Sequence, residues 1–169
     1  YVSSGTGSAA GTTFTVTNAS ATGANGPSQG QINSAYAGTN LANQVTSSNG
    51  IQLWTVPTTG VYTIDARGAQ GRTYPGRVSG GNGARMVGTF NLTAGQQLKI
   101  IVGQEGYYGG GGGGSFVATS ANVPLIVAGG GGGGGSACGG NPPHAGTATN
   151  GGNNFAPCTG SNYNGGSNG

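Results

Sequence analysis

Charge is almost missing from this sequence. Five Lys and Arg and two Asp and Glu among 169 residues make 4%, where a soluble domain ordinarily carries about 25%. The carboxylates are one of each kind, Asp65 and Glu105, histidine occurs once as His144, and the cysteines are Cys138 and Cys158. Paired carboxylates of one type for acid–base work are therefore excluded, as is a closed Cys/His zinc site. A hydrolase would need a nucleophile beside a base, yet His144 sits in a Pro/Gly-rich tail without an acidic neighbour in sequence. The chain reads as non-enzymatic, and no cofactor or metal is expected. The net charge of +3 and pI near 9.1 look basic, but five cations cannot follow a phosphate backbone, so nucleic acid is not an expected partner. No run approaches the roughly 18–20 apolar residues of a membrane helix, so no membrane span is expected. An initiating Met and a signal peptide are also missing, and the N-terminus reads as processed or trimmed from a longer chain.

Glycine is what the sequence has, 41 of its residues. Glycine with little charge suggests a linker, but disordered chains are poor in aromatics, and here Trp54, seven Tyr and four Phe accompany alternating apolar runs. Strands are expected at Thr13–Thr17, Ile51–Val56, Val61–Ala66, Arg85–Leu92, Gln97–Val102, Ser115–Thr119 and Leu125–Ala128, with turns at Pro57–Gly60 and at Thr93–Gln96. The stretch from Gln29 to Gln44 is the one place for a short helical turn. Short strands at this spacing predict an all-β fold, an antiparallel β-sandwich or jelly roll.

The glycine tracts Gly109–Gly114 and Gly129–Gly135 abut strands and are followed by nothing that would need a tether. A packed bundle of polyproline-II-type helices fits them better. Such a helix has three residues per turn and no internal hydrogen bonds, so its N–H and C=O groups must pair with neighbours. Only glycine allows the close approach, and a seven-residue tract spans about 22 Å. Strict Gly-X-Y periodicity is missing, so this is not collagen. Cys138 and Cys158, an even pair in the Gly/Asn/Pro-rich tail, suggest a disulfide and an oxidising, extracellular compartment; two free buried thiols are the alternative.

The order of motifs adds a resemblance. Trp54-Thr55-Val56-Pro57, Gly60-Val61-Tyr62-Thr63-Ile64, Arg67-Gly68-Ala69-Gln70-Gly71, Gly88-Thr89-Phe90-Asn91-Leu92 and Ile101-Val102-Gly103-Gln104-Glu105-Gly106 lead into Gly109–Gly114-Ser115-Phe116-Val117 and Val123-Pro124-Leu125-Ile126-Val127-Ala128-Gly129. From about Phe14 to Gly135 this resembles the glycine-rich extracellular domain of the anaplastic lymphoma kinase and leukocyte tyrosine kinase receptors. The resemblance implies a tumour-necrosis-factor-like β-sandwich merged with a bundle of polyglycine helices, an architecture shared with phage tail-tip adhesins. In the receptors that domain binds a cytokine. Here Ile32 stands where they carry a cysteine, and their insertion between the Val-Gly-Gln motif and the polyglycine tract is missing. The resemblance therefore bears more on fold than on partner.

Few residues offer chemistry. Gly109–Gly114-Ser115 is not a phosphate loop, since the Lys is missing and the tract opens a strand. Cys138, Cys158 and His144 read as a disulfide and a loop histidine rather than metal ligands. Asp65 and Arg67, two apart on a strand, suggest a local ion pair. Arg67, Arg72, Arg77 and Arg85 with Tyr74, Tyr107 and Tyr108 form the candidate surface for a protein or glycan, against a plain solubilising role for the cations. Asn18 and Asn91 begin glycosylation sequons. Residues 1–17 read as an N-terminal arm before a single domain over 18–169. Its strand Thr13, Phe14, Thr15, Val16 and Thr17 could exchange into a neighbouring copy, which makes a self-assembling extracellular filament the leading expectation. A recognition module, as a receptor ectodomain fragment or an adhesin tip, is the alternative.

Overall fold

The computed structural model describes residues 2–4, 12–73, 79–107 and 110–134. Cys138, Cys158 and His144 lie outside them, as do Tyr74, Arg77 and Tyr108. The described chain is all-β apart from one short helix. In chain order the strands are β1 (Val2–Ser4), β2 (Phe14–Val16), β3 (Val45–Ser48), β4 (Ile51–Thr55), β5 (Gly60–Arg67), β6 (Arg85–Leu92), β7 (Gln97–Ile101), β8 (Ser115–Thr119) and β9 (Pro124–Ala128). They form two antiparallel sheets, β2-β1-β5-β6 and β3-β4-β7-β8-β9.

Alternation decides the faces. In β5, Tyr62, Ile64 and Ala66 are buried, while Val61 and Arg67 face solvent. Leu98 and Ile100 of β7 and Val117 of β8 come from the other sheet into the same cluster as Trp54, Tyr62 and Ile64. The Trp54 ring sits 5.0 Å from Phe14 and 6.1 Å, edge-on, from Tyr62. A cavity of about 10 Å³ lies between the sheets, lined by Phe14, Trp54, Ile64, Leu98, Ile100 and Val117 among others.

All seven expected strands are present, and the two unexpected ones are polar or very short. The helix α1 (Gln29–Ala35) occupies the first half of its expected stretch. It starts at a capping box, with Ser28 Oγ accepting from Gln31 N and Gln31 Oε1 accepting from Ser28 N. Between β3 and β4, Asn49 and Gly50 have φ of 50° and 81°, the backbone of a two-residue type I′ hairpin. The strand expected to exchange between copies is paired within the chain, Val16 with Val2 and Phe14 with Ser4, and β1 in turn pairs with β5.

Five strands run on at one end into glycine-rich segments: 68–73 after β5, 79–84 before β6, 102–106 after β7, 110–114 before β8 and 129–134 after β9. These segments are not strands, yet their backbones bond to one another. Gly68 N donates to Ala84 O and Gly71 N to Gly81 O, both at 2.9 Å. Ala69 N and Arg72 N donate to Gly113 O and Gly110 O, both at 2.9 Å. Gly131 N and Gly134 N donate to Ala69 O and Arg72 O, at 2.9 and 3.0 Å. Each pairing repeats after three residues, whereas a β ladder repeats after two. Segment 68–73 is the hub, bonded to three neighbours.

Close approach explains the glycines. A Cβ on Gly68 or Gly71 would overlap Gly129 O or Gly132 O, and one on Gly80 or Gly83 would overlap the backbone of Gly71 or Gly68. Gly103 and Gly106 stand in the same relation to residues 110–114. Where a segment is not pure glycine, glycine therefore recurs at every third position. Ser115, fully buried, couples this region to the sheets: its Oγ donates to Arg67 O at 2.7 Å and accepts from Gly103 N at 2.9 Å.

Candidate functional site

Where the glycine segments meet the sandwich, a groove of about 1050 Å³ opens among the described residues. One wall is the connection before α1, residues 18–27, together with the Asn49–Gly50 hairpin tip; the other is residues 101–107 with 111–114. The first wall is held firmly. Gly26 and Gly50 pack backbone to backbone so closely that neither has room for a Cβ. Ser47 Oγ donates to Pro27 O at 2.6 Å, and Gln31 Nε2 reaches Ser20 O at 3.3 Å. At the base Gln104 ties the walls together, its Nε2 donating to Asn25 O at 3.0 Å. Its Oε1 is buried without a donor.

Arg72 and Glu105 close an ion pair over the groove at 3.2 Å, each side chain about half exposed. Tyr107, 81% exposed, stands beside them. Two of the expected surface residues, Arg72 and Tyr107, thus meet here. Two others do not. Arg67 and Arg85 flank Asp65 on the outer face of the four-stranded sheet, at 3.3 and 2.9 Å. The Asp65–Arg67 pair was expected; Arg85 is its stronger partner, because the β5–β6 register sets Arg85 opposite Arg67. The Arg85 hydrogen bonds, ahead of those from Arg67, hold the Asp65 carboxyl below its ordinary pKa. No group of His, Cys, Asp and Glu among the described residues could hold a metal.

A second polar cluster is structural. Gln52, almost wholly buried, donates from Nε2 to Thr17 O at 2.6 Å, and Tyr36 Oη lies 2.5 Å from its Oε1. Burial pushes the Tyr36 phenol above its ordinary value. Of the two sequon asparagines, Asn91 is exposed on β6, whereas Asn18 Nδ2 donates to Ala21 O at 2.9 Å.

Sequence reasoning assigned no binding role to Gln104, Glu105 or residues 18–27, where Asn18 was noted as the start of a sequon. Arg72 and Glu105 lie 33 residues apart, and only the fold brings them together. The Asn-Gly pair at the hairpin tip did carry a local signal.

No protein-family model matches the chain. Over 90 residues, 51% of the chain, the sequence is 38% identical to the leukocyte tyrosine kinase receptor of the mouse, Mus musculus. Over that half the chain is similar to this receptor. That is one of the receptors whose glycine-rich domain the motif order resembles. The match covers 10% of the receptor's length, so the chain spans about a tenth of it. No helix among the described residues is long and apolar enough to cross a membrane.

Proposed function

We propose that this chain is an extracellular, non-enzymatic recognition module that takes a protein or glycan ligand in the groove between the sandwich and the glycine segments. The observation that carries this reading is the 38% identity to a receptor over half of the chain. The groove gives it a place. Its first wall is fixed by backbone packing, so a ligand would meet a preformed surface and lose little affinity to ordering it. Arg72 and Tyr107 are the residues expected to touch the ligand, joined by Glu105. Filament growth has no comparable support, since Phe14–Val16 is already paired within the chain.

The glycine segments in this reading are polyproline-II-type helices packed as a bundle. The three-residue repeat of their hydrogen bonds supports that geometry, which has three residues per turn. A Cys138–Cys158 bridge would close the tail in an oxidising compartment. The test is binding of the purified 169-residue chain to arrays of extracellular proteins and glycans, beside Arg72→Ala. Saturable binding that Arg72→Ala weakens is the expected result. Absence of saturable binding on both arrays overturns the reading.

A further inference from the structure

We infer that Asn91 carries an N-linked glycan and that Asn18, the other sequon asparagine, does not. The inference rests on the extracellular part of the recognition reading and adds a modification site to it. Asn91-Leu92-Thr93 and Asn18-Ala19-Ser20 carry the same local signal, an asparagine with a hydroxyl two residues on and no proline between. The motif ranks them equally; their surroundings do not.

Asn91 stands on the solvent face of β6. Along that strand Arg85, Val87, Thr89 and Asn91 are exposed, and the residues between them are half-buried or buried. Leu92, between the two sequon positions, is in the core, so Asn91 and Thr93 both face outward. The cross-strand neighbour of Asn91 is Val61 on β5, an exposed apolar side chain that a glycan here would lie over. A chain with so few charges gains hydration from such a group.

Asn18 is bound into a closed turn instead. Its Nδ2 donates to Ala21 O and Ala21 N donates back to its main-chain O, both at 2.9 Å, while Ala19 and Ala21 are buried. Ser20 O is held by Gln31 Nε2 at 3.3 Å. A glycan on Asn18 Nδ2 would replace one of its two hydrogens and stand in the groove that Asn18 lines. Asn91 is clear of that region. The glycine segment 79–84 enters β6 at Arg85, and Asn91 lies six residues farther along, about 20 Å at the rise of a strand. A glycan there leaves the groove open.

The donor for this transfer is a lipid-diphosphate-linked oligosaccharide. Asn91 Nδ2 forms a bond to the anomeric carbon, the bond from that carbon to the diphosphate oxygen breaks, and the lipid diphosphate leaves with the electron pair as Nδ2 gives up one proton. The experiment is secretion of the 169-residue chain from mammalian cells behind an added leader, with intact mass measured before and after treatment with a peptide N-glycosidase. The treatment should remove one glycan's mass from the parent chain and from Asn18→Gln. Asn91→Gln should emerge without that mass, and so should Thr93→Ala, which keeps Asn91 and removes only the hydroxyl. Both positions are exposed, so neither substitution should disturb the fold. A secreted parent chain with no removable glycan, or a glycan that persists in Asn91→Gln, overturns the inference. The arrays keep the two readings apart. Saturable binding by a chain without the glycan leaves the recognition reading standing alone, and a glycan at Asn91 on a chain that binds nothing leaves the glycan standing alone.

Discussion

Replacing Gly68 with Ala puts the packing of the glycine segments to a quantitative test. The added methyl would overlap Gly129 O and come within 2.9 Å of Gly130 N, both backbone atoms that cannot turn aside. Overpacking of this kind costs about 1–3 kcal/mol. Moving residues 129–130 away also strains the bond from Ala84 N to Gly129 O, now 2.8 Å, and a buried amide left unpaired costs about 1–3 kcal/mol more. A loss near 3 kcal/mol lowers the melting temperature of a domain this size by roughly 6–12 °C. Gly30→Ala is the matched control. Gly30 lies in α1, its nearest neighbour to an added Cβ is Ser28 Oγ at 4.0 Å, and alanine there should stabilise by about 0.5–1 kcal/mol. Fluorescence of the single tryptophan, Trp54, buried in the core, reports both transitions. If Gly68→Ala melts where the parent chain does, the tight packing of these segments is refuted.

Other consequences follow from single side chains. Ser115→Ala removes the bonds that its Oγ makes with Gly103 N and Arg67 O at a buried position and should destabilise by about 1–3 kcal/mol, read by chemical denaturation. Asp65 binds its proton more weakly folded than unfolded, so its contribution is full above about pH 3.9 and is lost as pH falls through the folded value. Asp65→Asn should therefore flatten the acid side of a melting-temperature profile. Tyr36 has the opposite sign: its raised pKa means stability present below about pH 10 and lost as pH rises through the folded value. Tyr36→Phe should remove that alkaline loss while lowering stability at neutral pH by about 1–3 kcal/mol, because Thr17 N and Gln52 lose their partner.

Much of the sandwich was legible in the sequence, because alternation of period two survives wherever one face is buried and the other wet. β5 shows this best, Tyr62, Ile64 and Ala66 pointing inward against Val61 and Arg67 outward. β3 escaped because Val45-Thr46-Ser47-Ser48 has a single large apolar residue, and β1 because three residues carry no period. The glycine region was half legible. Gly68/Gly71, Gly80/Gly83 and Gly103/Gly106 display a three-residue spacing in the sequence, but the pure tracts hide it, since every position there is glycine. The groove was the least legible feature. Tyr107 and Arg72 were expected at a surface, yet Glu105 and Gln104 acquire their roles only through pairings with residues far off in the chain, Arg72 and Asn25. The N-terminal arm read as free to exchange because its strand, Phe14–Val16, shows no partner in sequence, and the partner it finds is the three-residue β1.

Site-resolved amide hydrogen exchange tests most directly whether the glycine segments are a folded wall for the groove. Gly81, Gly112, Gly113 and Gly131 each donate to a backbone carbonyl of another segment at 2.7–2.9 Å. Their amides should be protected to a degree comparable with Ile100 in the core strand β7. Exchange of these four glycines at the rate of an unfolded chain, with Ile100 still protected, would contradict the account.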